Sequence, residues 1–323
     1  MRVTRFALED FAVPLRRPLH TAHGEIGERR GVGVRLYDEA GHCGRGESAP
    51  LAGFGLESLE EARAALARGA KAICADCADL DAALDRLEAP TEKAPSARGA
   101  LDTALHDLAA QRAGLGLADF LARIEGRRAR ARVSFASLLR EREPAALRDE
   151  ARAALAAGCG ALKLKIAAGG DDLARVAALR EVCPPEVELR LDANAAWSET
   201  RARSALAELA GFAPSYVEQP VADVEALARL RETGPVPIAV DESLCDERAA
   251  ERIAACAAAD VWVLKPAVVG GLRTARRIAA IGRAAGADVV VGGFLDGPIG
   301  SAAARGLAAA LPGERPAGLE PAA

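Results

Sequence analysis

The sequence predicts an α/β protein in two parts: a small α+β domain, followed by a barrel of alternating strands and helices. Before about residue 50 the chain has short strand-like stretches, and from 57 to about 123 apolar residues recur three and four apart, as in helices. After about residue 130, short apolar strands alternate with Ala/Arg/Glu-rich helical segments, and repeated βα units imply a parallel sheet. We place the two domains at residues 1–125 and 126–323.

The N-terminal domain is expected to begin with an antiparallel meander. Residues 31–36 (GVGVRL) predict a strand, 38–41 a turn, and 44–50 a second short strand. Two helices follow, in ESLEEARAALARGAKAI and ARGALDTALHDLAAQRAG, because each stretch places its apolar residues on one face.

The barrel is predicted from a series of strands. They are residues 133–138, 161–166, 187–192, 215–218, 237–241, 261–265 and 288–292, with a short last candidate at 317–320. Seven or eight such units favour a closed barrel over an open dinucleotide-binding sheet. No GxGxxG motif follows the first strand, which weakens the second interpretation further.

Composition excludes several functional classes. The formal net charge is -4 and aromatic residues make up 3% of the chain, so nothing favours binding to nucleic acid or to an anionic membrane. There is no apolar run of about 18 residues, so no transmembrane helix is expected. The 7 scattered cysteines are typical of a reducing compartment. We expect a cytoplasmic protein that acts on a small molecule.

Charged residues stand at the carboxyl ends of successive predicted strands. They are Lys163 and Lys165 in ALKLKI, Asp192 in ELRLD, Glu218 in SYVE, Asp241 in PIAVD and Lys265 in VWVLK. From Asp192 onward the intervals are 26, 23 and 24 residues, one βα unit each. One charged residue at a strand end is usually only solvated. A whole series in phase favours a functional site, because the carboxyl ends of barrel strands meet on the catalytic face.

The residue types indicate one class of chemistry. Three converging carboxylates need a cation, and hard oxygen ligands favour Mg²⁺ over zinc. Lys163 and Lys165 project to one face, and their repulsion is expected to lower the pKa of at least one of them, as a lysine general base requires. A base opposite a metal suits removal of a proton next to a carboxylate, since the cation stabilises the resulting enediolate.

The elements KLK, DAN, VEQP, DES and LKP together resemble the muconate-lactonizing subgroup of the enolase superfamily, over nearly the whole chain. The resemblance implies a modified TIM barrel of the (β/α)7β type behind an N-terminal α+β capping domain. It implies that Lys165 is the proton-abstracting base, that Lys163 assists it, and that Lys265 faces the other side of the substrate. It implies one Mg²⁺ held by Asp192, Glu218 and Asp241.

Within the subgroup, residues 44–62 are similar to the GE-x-x-P-L-x-G-F stretch of o-succinylbenzoate synthases, and residues 16–34 look like their substrate-covering loop. That loop holds Arg17, His20 and His23, which suit an anionic substrate or are simply solvated. The resemblance implies dehydration of a hydroxy-succinyl-cyclohexadiene carboxylate in menaquinone biosynthesis. Dipeptide epimerases typically carry a D-x-D motif at the last strand, where this chain has GLEP at 318–321. A dipeptide epimerase or an N-acylamino acid racemase is the alternative.

The remaining candidates have weaker support. Gly292 and Gly293 follow the seventh strand and either leave room for a substrate or make a tight loop; with Asn194 they are the candidate substrate-binding residues. Asp296, in GGFLDGPIG, either replaces the glutamate that many relatives have in this region or is a turn residue. Glu242, beside Asp241, is a candidate partner for Lys265.

Overall fold

The computed structural model describes residues 2–21, 24–74, 77–167 and 171–319, without the side chains of 16–21, 24 and 25. The chain divides into two compact units. The first unit comprises Met1–Ala131, Lys265–Arg276 and Gly293–Pro312, and the second comprises Arg132–Leu264, Arg277–Gly292 and Gly313–Ala323. The domain boundary placed at residue 125 stays a prediction.

The first unit contains an antiparallel sheet in the order β1-β2-β3, with helices beside it. Its elements are β1 (Val3–Thr21), β2 (Gly24–Asp38), β3 (Cys43–Ser48), α1 (Leu59–Ile73), α2 (Leu80–Asp85), α3 (Pro95–Arg112) and α4 (Leu117–Ile124). α1 begins at a capping box, in which Ser58 and Glu61 each accept the other's backbone N–H. α3 packs directly on β3, because a Cβ at Gly46 would lie only 1.8 Å from the carbonyl oxygen of Ala100.

The second unit contains a parallel sheet whose seven strands lie in sequence order. They are β4 (Ala136–Leu139), β5 (Ala161–Lys165), β6 (Glu188–Asp192), β7 (Tyr216–Glu218), β8 (Ile238–Val240), β9 (Val261–Leu264) and β10 (Asp288–Val291). The predicted fold class, a modified TIM barrel with an N-terminal α+β part, is confirmed. Four strands, β5, β8, β9 and β10, end one residue earlier than expected.

The two edges of this sheet are joined by a short stretch near the end of the chain. Ala317 forms a parallel bridge with Phe135, and Gly318 forms one with Gly292. The Ala317 N–H donates to the carbonyl of Ser134 at 2.7 Å. The last strand expected at 317–320 is therefore present as two bridged residues, and Glu320 lies outside the described part of the chain.

Helices follow most of the parallel strands. They are α5 (Pro144–Ala156), α6 (Asp172–Val182), α7 (Glu199–Leu209), α8 (Val224–Thr233), α9 (Glu247–Ala255), α10 (Pro266–Val269), α11 (Leu272–Ala284) and α12 (Pro298–Ala310). The start of α6, α7, α8 and α9 is fixed by an aspartate or serine that accepts a backbone N–H from the first turn. Within the residues that the structure describes, no helix has the length and apolar character needed to cross a membrane.

Candidate active site

Strand register brings the site residues of the second unit together. Lys165 of β5 is the Cα partner of Asp192 of β6, which is in turn the partner of Glu218 of β7. Glu218 pairs with Ala239 of β8, so Asp241 follows two residues beyond that pair. Three carboxylates and a lysine therefore stand at the carboxyl ends of four consecutive strands, as their spacing in the sequence indicates.

The three carboxylates are removed from solvent. Asp192, Glu218 and Asp241 are 1%, 1% and 7% exposed. The ammonium of Lys163 donates to both carboxylate oxygens of Glu218, each at 2.8 Å, and lies 2.9 Å from Asp192 Oδ2. Because buried charges are costly unless they are paired, Lys163 is an essential counter-charge for these two acids.

The electrostatics distinguish the two lysines of β5. Burial lowers the pKa of Lys163, but the charges of Asp192, Glu218 and Asp241 outweigh burial and hold this pKa well above its ordinary value. The lowered pKa expected for at least one of the two lysines is therefore not found at Lys163. This side chain remains an ammonium near neutral pH, which makes it a poor proton acceptor and leaves Lys165 as the candidate base.

Asn194 connects Lys165 to a second acid. The ammonium of Lys165 donates to Asn194 Oδ1 at 2.8 Å, and the Asn194 amide donates to Glu242 Oε1 at 3.1 Å. Asn194 has a φ of 44°, a left-handed conformation that asparagine tolerates better than most residues. Glu242 thus contacts Asn194, whereas the sequence suggested Lys265. Burial, and then the charges of Asp241 and Asp192, raise the pKa of Glu242.

Gln219 is a residue whose role sequence reasoning missed. It is fully buried, and its Oε1 accepts the backbone N–H of Asp241 at 2.9 Å. Its amide donates to Ser243 Oγ at 2.7 Å, so one side chain ties the end of β7 to the segment after β8. Its φ of 40° turns the chain directly after Glu218. The only signal in the sequence is the amide between an acid and a proline in VEQP.

Lys265 and Gly293 belong to the first unit, whereas Gly292 belongs to the second. Lys265 directly follows β9, and its Nζ lies 5.8 Å from the ring centroid of Phe294. Gly292 donates its N–H to the carbonyl of Leu264 at 2.9 Å. That Gly292, Gly293 and Asn194 bind substrate stays a prediction. The side chains of Arg17, His20 and His23 lie outside the described residues.

A further signal lies in the choice of basic residue. The chain has 37 arginines but only five lysines, at positions 71, 93, 163, 165 and 265. Lysine is thus nearly absent where only a positive charge is required, and three of the five stand at the ends of β5 and β9. Lysine, unlike arginine, can readily exist as a neutral amine in a protein, so its presence at Lys165 and Lys265 suits proton transfer.

The three carboxylates at the strand ends form the candidate metal site. Among the described residues, no three Asp, Glu, His or Cys side chains converge closely enough to hold a metal ion as they stand. Asp192 and Glu218 instead meet at the Lys163 ammonium, within 2.9 Å of one nitrogen. Asp192 and Glu218 thus already converge on one small cation, the Lys163 ammonium, and Asp241 lies at the next strand end. Together the three acids form an all-oxygen donor set. Its chemistry fits Mg²⁺.

Comparison with known proteins establishes the family. The family described as "Enolase C-terminal domain-like" matches residues 146–321, and "Mandelate racemase / muconate lactonizing enzyme, N-terminal domain" matches residues 4–122. The chain belongs to the enolase superfamily, in its muconate-lactonizing subgroup, and is an enzyme of that superfamily.

Individual relatives carry different activities. The chain is 30% identical to the D-Ala-D/L-Ala epimerase of Cytophaga hutchinsonii over 314 residues, which cover 95% of the chain and 84% of that protein. It is 40% identical to the o-succinylbenzoate synthase of Thermobifida fusca over 168 residues, 51% of the chain and 52% of that protein. The crystal structure of a dipeptide epimerase from Enterococcus faecalis V583, complexed with Mg and L-Leu-L-Tyr, superposes with a TM-score of 0.90 at 28% identity, covering 99% of this chain and 90% of that one.

Proposed function

We propose that the chain is an o-succinylbenzoate synthase, a lyase that dehydrates 2-succinyl-6-hydroxy-2,4-cyclohexadiene-1-carboxylate in menaquinone biosynthesis. The observation that carries this choice is the short last strand. In dipeptide epimerases this strand carries the acids that hold the substrate ammonium. Here Gly318 has no side chain and bridges Gly292 through its backbone, and its neighbours Ala317 and Leu319 are apolar and buried. The stretch 318–321 (GLEP) has one acid, Glu320, where the D-x-D motif has two. The higher identity over the matched half of the synthase also supports the choice.

The residues of the second unit suit proton removal next to a carboxylate. Lys165, held by the Asn194 amide, takes the ring proton alpha to the substrate carboxylate. The electrons of the broken C–H bond form the new ring double bond as hydroxide leaves, and the product is aromatic. The hydroxide takes a proton from the Lys165 ammonium to give water, which returns Lys165 to the neutral amine. Lys163 stays protonated and fixes Asp192 and Glu218. Mg²⁺ held by Asp192, Glu218 and Asp241 would supply stabilisation of the negative charge that develops on the substrate carboxylate.

Lys265 has a separate proposed role. Its ammonium stabilises the negative charge that spreads over the ring after the proton is removed, by a charge or cation–π contact. Because formation of an aromatic ring favours the elimination strongly, the leaving hydroxyl needs little further acid catalysis.

The second candidate is a dipeptide epimerase, in which Lys165 and Lys265 exchange a proton on the two faces of an amino-acid residue. The extent of similarity favours it, since the Cytophaga hutchinsonii epimerase matches 95% of the chain and the synthase 51%. Both candidates use the same lysine pair and the same carboxylates. They differ in the reaction: the synthase releases water from its substrate, whereas the epimerase only exchanges a proton.

One pair of assays separates the candidates. Purified protein with Mg²⁺ is given the cyclohexadiene carboxylate, and the conversion is followed by the absorbance of the aromatic product. In parallel, L-Ala-L-Glu is incubated in D₂O, and exchange and inversion at the α-carbon are followed by NMR. We expect rapid formation of the aromatic product and little epimerisation. Inversion of the dipeptide with the diene unchanged would refute the synthase assignment.

Matched lysine variants test the base. Lys165→Ala is expected to abolish turnover, whereas Lys71→Ala, at an exposed position of α1, is expected to leave it unchanged. A Lys165→Ala enzyme that still forms product would exclude Lys165 as the base.

The cysteines bear on the cellular compartment in which the enzyme acts. All seven cysteines are free thiols, among them three buried ones, Cys77, Cys159 and Cys183. Free thiols throughout a chain of this size suit a reducing compartment. We therefore place the enzyme in the cytoplasm, with a small carboxylate as its substrate.

A further inference from the structure

A buried arginine of the first unit ties two segments together. Arg29 of β2 is 4% exposed, and its Nε donates to the carbonyl of Leu295 at 2.8 Å. A second nitrogen of the same guanidinium donates to the carbonyl of Ala49, just after β3. Burial lowers the pKa of Arg29, and the charges of Asp296 and Glu47 oppose this. Because burying a charged guanidinium costs free energy, we expect Arg29 to do more than keep the protein soluble.

Glu47 of β3 fixes the start of α12. Its Oε2 accepts the backbone N–H of Ile299 at 3.0 Å, in the first turn of the helix. A Cβ at Gly297 or Gly300 would lie 2.7 or 2.8 Å from a Glu47 carboxylate oxygen, so a side chain at either position would displace this carboxylate. The segment that leads into α12 is thus held by Arg29 through a carbonyl and by Glu47 at the helix start.

This held segment carries Asp296. Leu295 has a φ of 54°, an uncommon conformation for a residue with a side chain. Phe294 and Asp296 flank this residue, and the Phe294 N–H donates to Asp296 Oδ2 at 3.0 Å. The Phe294 ring and the Asp296 carboxylate are therefore fixed in one tight turn. The Phe294 ring centroid is 5.8 Å from Lys265 Nζ. Burial raises the pKa of Asp296, and the charges of Arg29 and then Lys265 lower it in part.

We propose that Asp296 is a positioning residue for Lys265: its carboxylate, fixed in the same tight turn as Phe294, holds the Lys265 ammonium beside the Phe294 ring. This inference rests on the role proposed above for Lys265, in either the synthase or the epimerase. The groups that face Asp296 are Arg29 of β2, Glu47 of β3 and Lys265. A residue needed only for the turn would require none of these charges.

The Asp296→Asn variant distinguishes the effect of the negative charge from the effect of the turn. An asparagine Oδ1 still accepts the Phe294 N–H, so the turn is kept while the negative charge is lost. Because the chain has only five lysines, reductive ¹³C-methylation yields few NMR signals, and Lys265→Arg identifies the one from Lys265. We expect Asp296→Asn to move the titration midpoint of Lys265 to lower pH by about one unit, with Lys71 and Lys93 unmoved. An unchanged Lys265 midpoint would overturn the proposal.

This readout needs no substrate, so its outcome is independent of whether the proposed function holds. On the substrate that the enzyme turns over, Asp296→Asn is expected to lower kcat about 10- to 100-fold with little change in KM, because a misplaced catalytic group costs rate. Asp296→Glu, which restores the charge, is expected to recover part of kcat and the Lys265 midpoint. Glu314→Gln, at an exposed acid, is the control and is expected to change neither. Equal losses in the Asn and Glu variants would indicate a purely structural role for Asp296 and contradict the proposal.

Discussion

The ammonium of Lys163 donates to both carboxylate oxygens of Glu218, across the strand that lies between them. The pair makes Lys163 a part of the carboxylate cluster rather than a second base beside Lys165. It also joins β5 to β7 by a buried charge-assisted contact, which is stronger than a neutral hydrogen bond.

Lys163→Met is expected to destabilise the fold strongly. The change leaves Glu218 and Asp192 buried without their counter-charge, and breaking a buried pair in this way costs about 3–5 kcal/mol. The free energy of unfolding is measured by urea titration in the presence of EDTA. The matched control is Lys165→Met, whose side chain is exposed. Similar losses in the two variants would contradict the pairing role of Lys163.

Asn194→Gly is expected to lower kcat by about 10- to 100-fold, because Lys165 loses the oxygen that orients it. Glycine adopts the left-handed φ of this position without strain, so the free energy of unfolding should change little. Steady-state kinetics and urea titration are compared on the same preparations. Loss of stability with kcat unchanged would make Asn194 a structural residue only.

Glu47 is expected to make stability depend on pH between about 4.5 and 6. Burial raises the pKa of Glu47 to about 6, so the folded state binds a proton there more tightly than the unfolded state does. Stability from this group is therefore present below pH 4.5 and is lost as pH rises through 6, by at most about 2 kcal/mol. Urea titrations at several pH values should show a flatter profile for Glu47→Gln. Glu251→Gln, at an exposed residue of α9, should retain the slope of the parent protein.

Ala257→Gly is expected to stabilise the protein by about 0.5 kcal/mol. Ala257 follows the end of α9 with a φ of 50°, where a left-handed alanine costs about 1–2 kcal/mol and glycine costs mainly chain entropy. The control is Ala153→Gly, at an exposed position inside α5, which should destabilise by about 1 kcal/mol. Thermal unfolding of both variants measures the difference, and a loss at Ala257 would show that the tertiary context outweighs backbone strain.

Mg²⁺ is expected to raise the midpoint of thermal unfolding of the parent protein, because a ligand that binds the folded state stabilises it. Asp241→Asn removes one of the three carboxylates and should reduce or abolish this shift. Glu314→Gln, at an exposed acid, should retain it. A Mg²⁺-induced shift that is the same in all three proteins would place the binding site elsewhere.

The barrel and the alignment of its charged strand ends could be predicted from the sequence, because the βα spacing determines which residues reach one end of a parallel sheet. The partners of each side chain could not. Spacing places Lys163 and Lys165 on one face, but it does not show that Lys163 reaches past β6 to Glu218. Gln219 is positioned by a left-handed turn, which periodicity does not reveal. Arg29 and Leu295 are 266 residues apart in the chain, and only tertiary packing brings them together.

The two bridged residues near the end of the chain have a consequence for aggregation. Ala317 bridges the residue before β4 and Gly318 bridges the residue after β10, so together they cover one end of each edge strand. Truncation before Ala317 would leave two short apolar strands with unpaired N–H and C=O groups, which are templates for pairing between chains. These two bridged residues are thus expected to reduce self-association through the edges of the sheet.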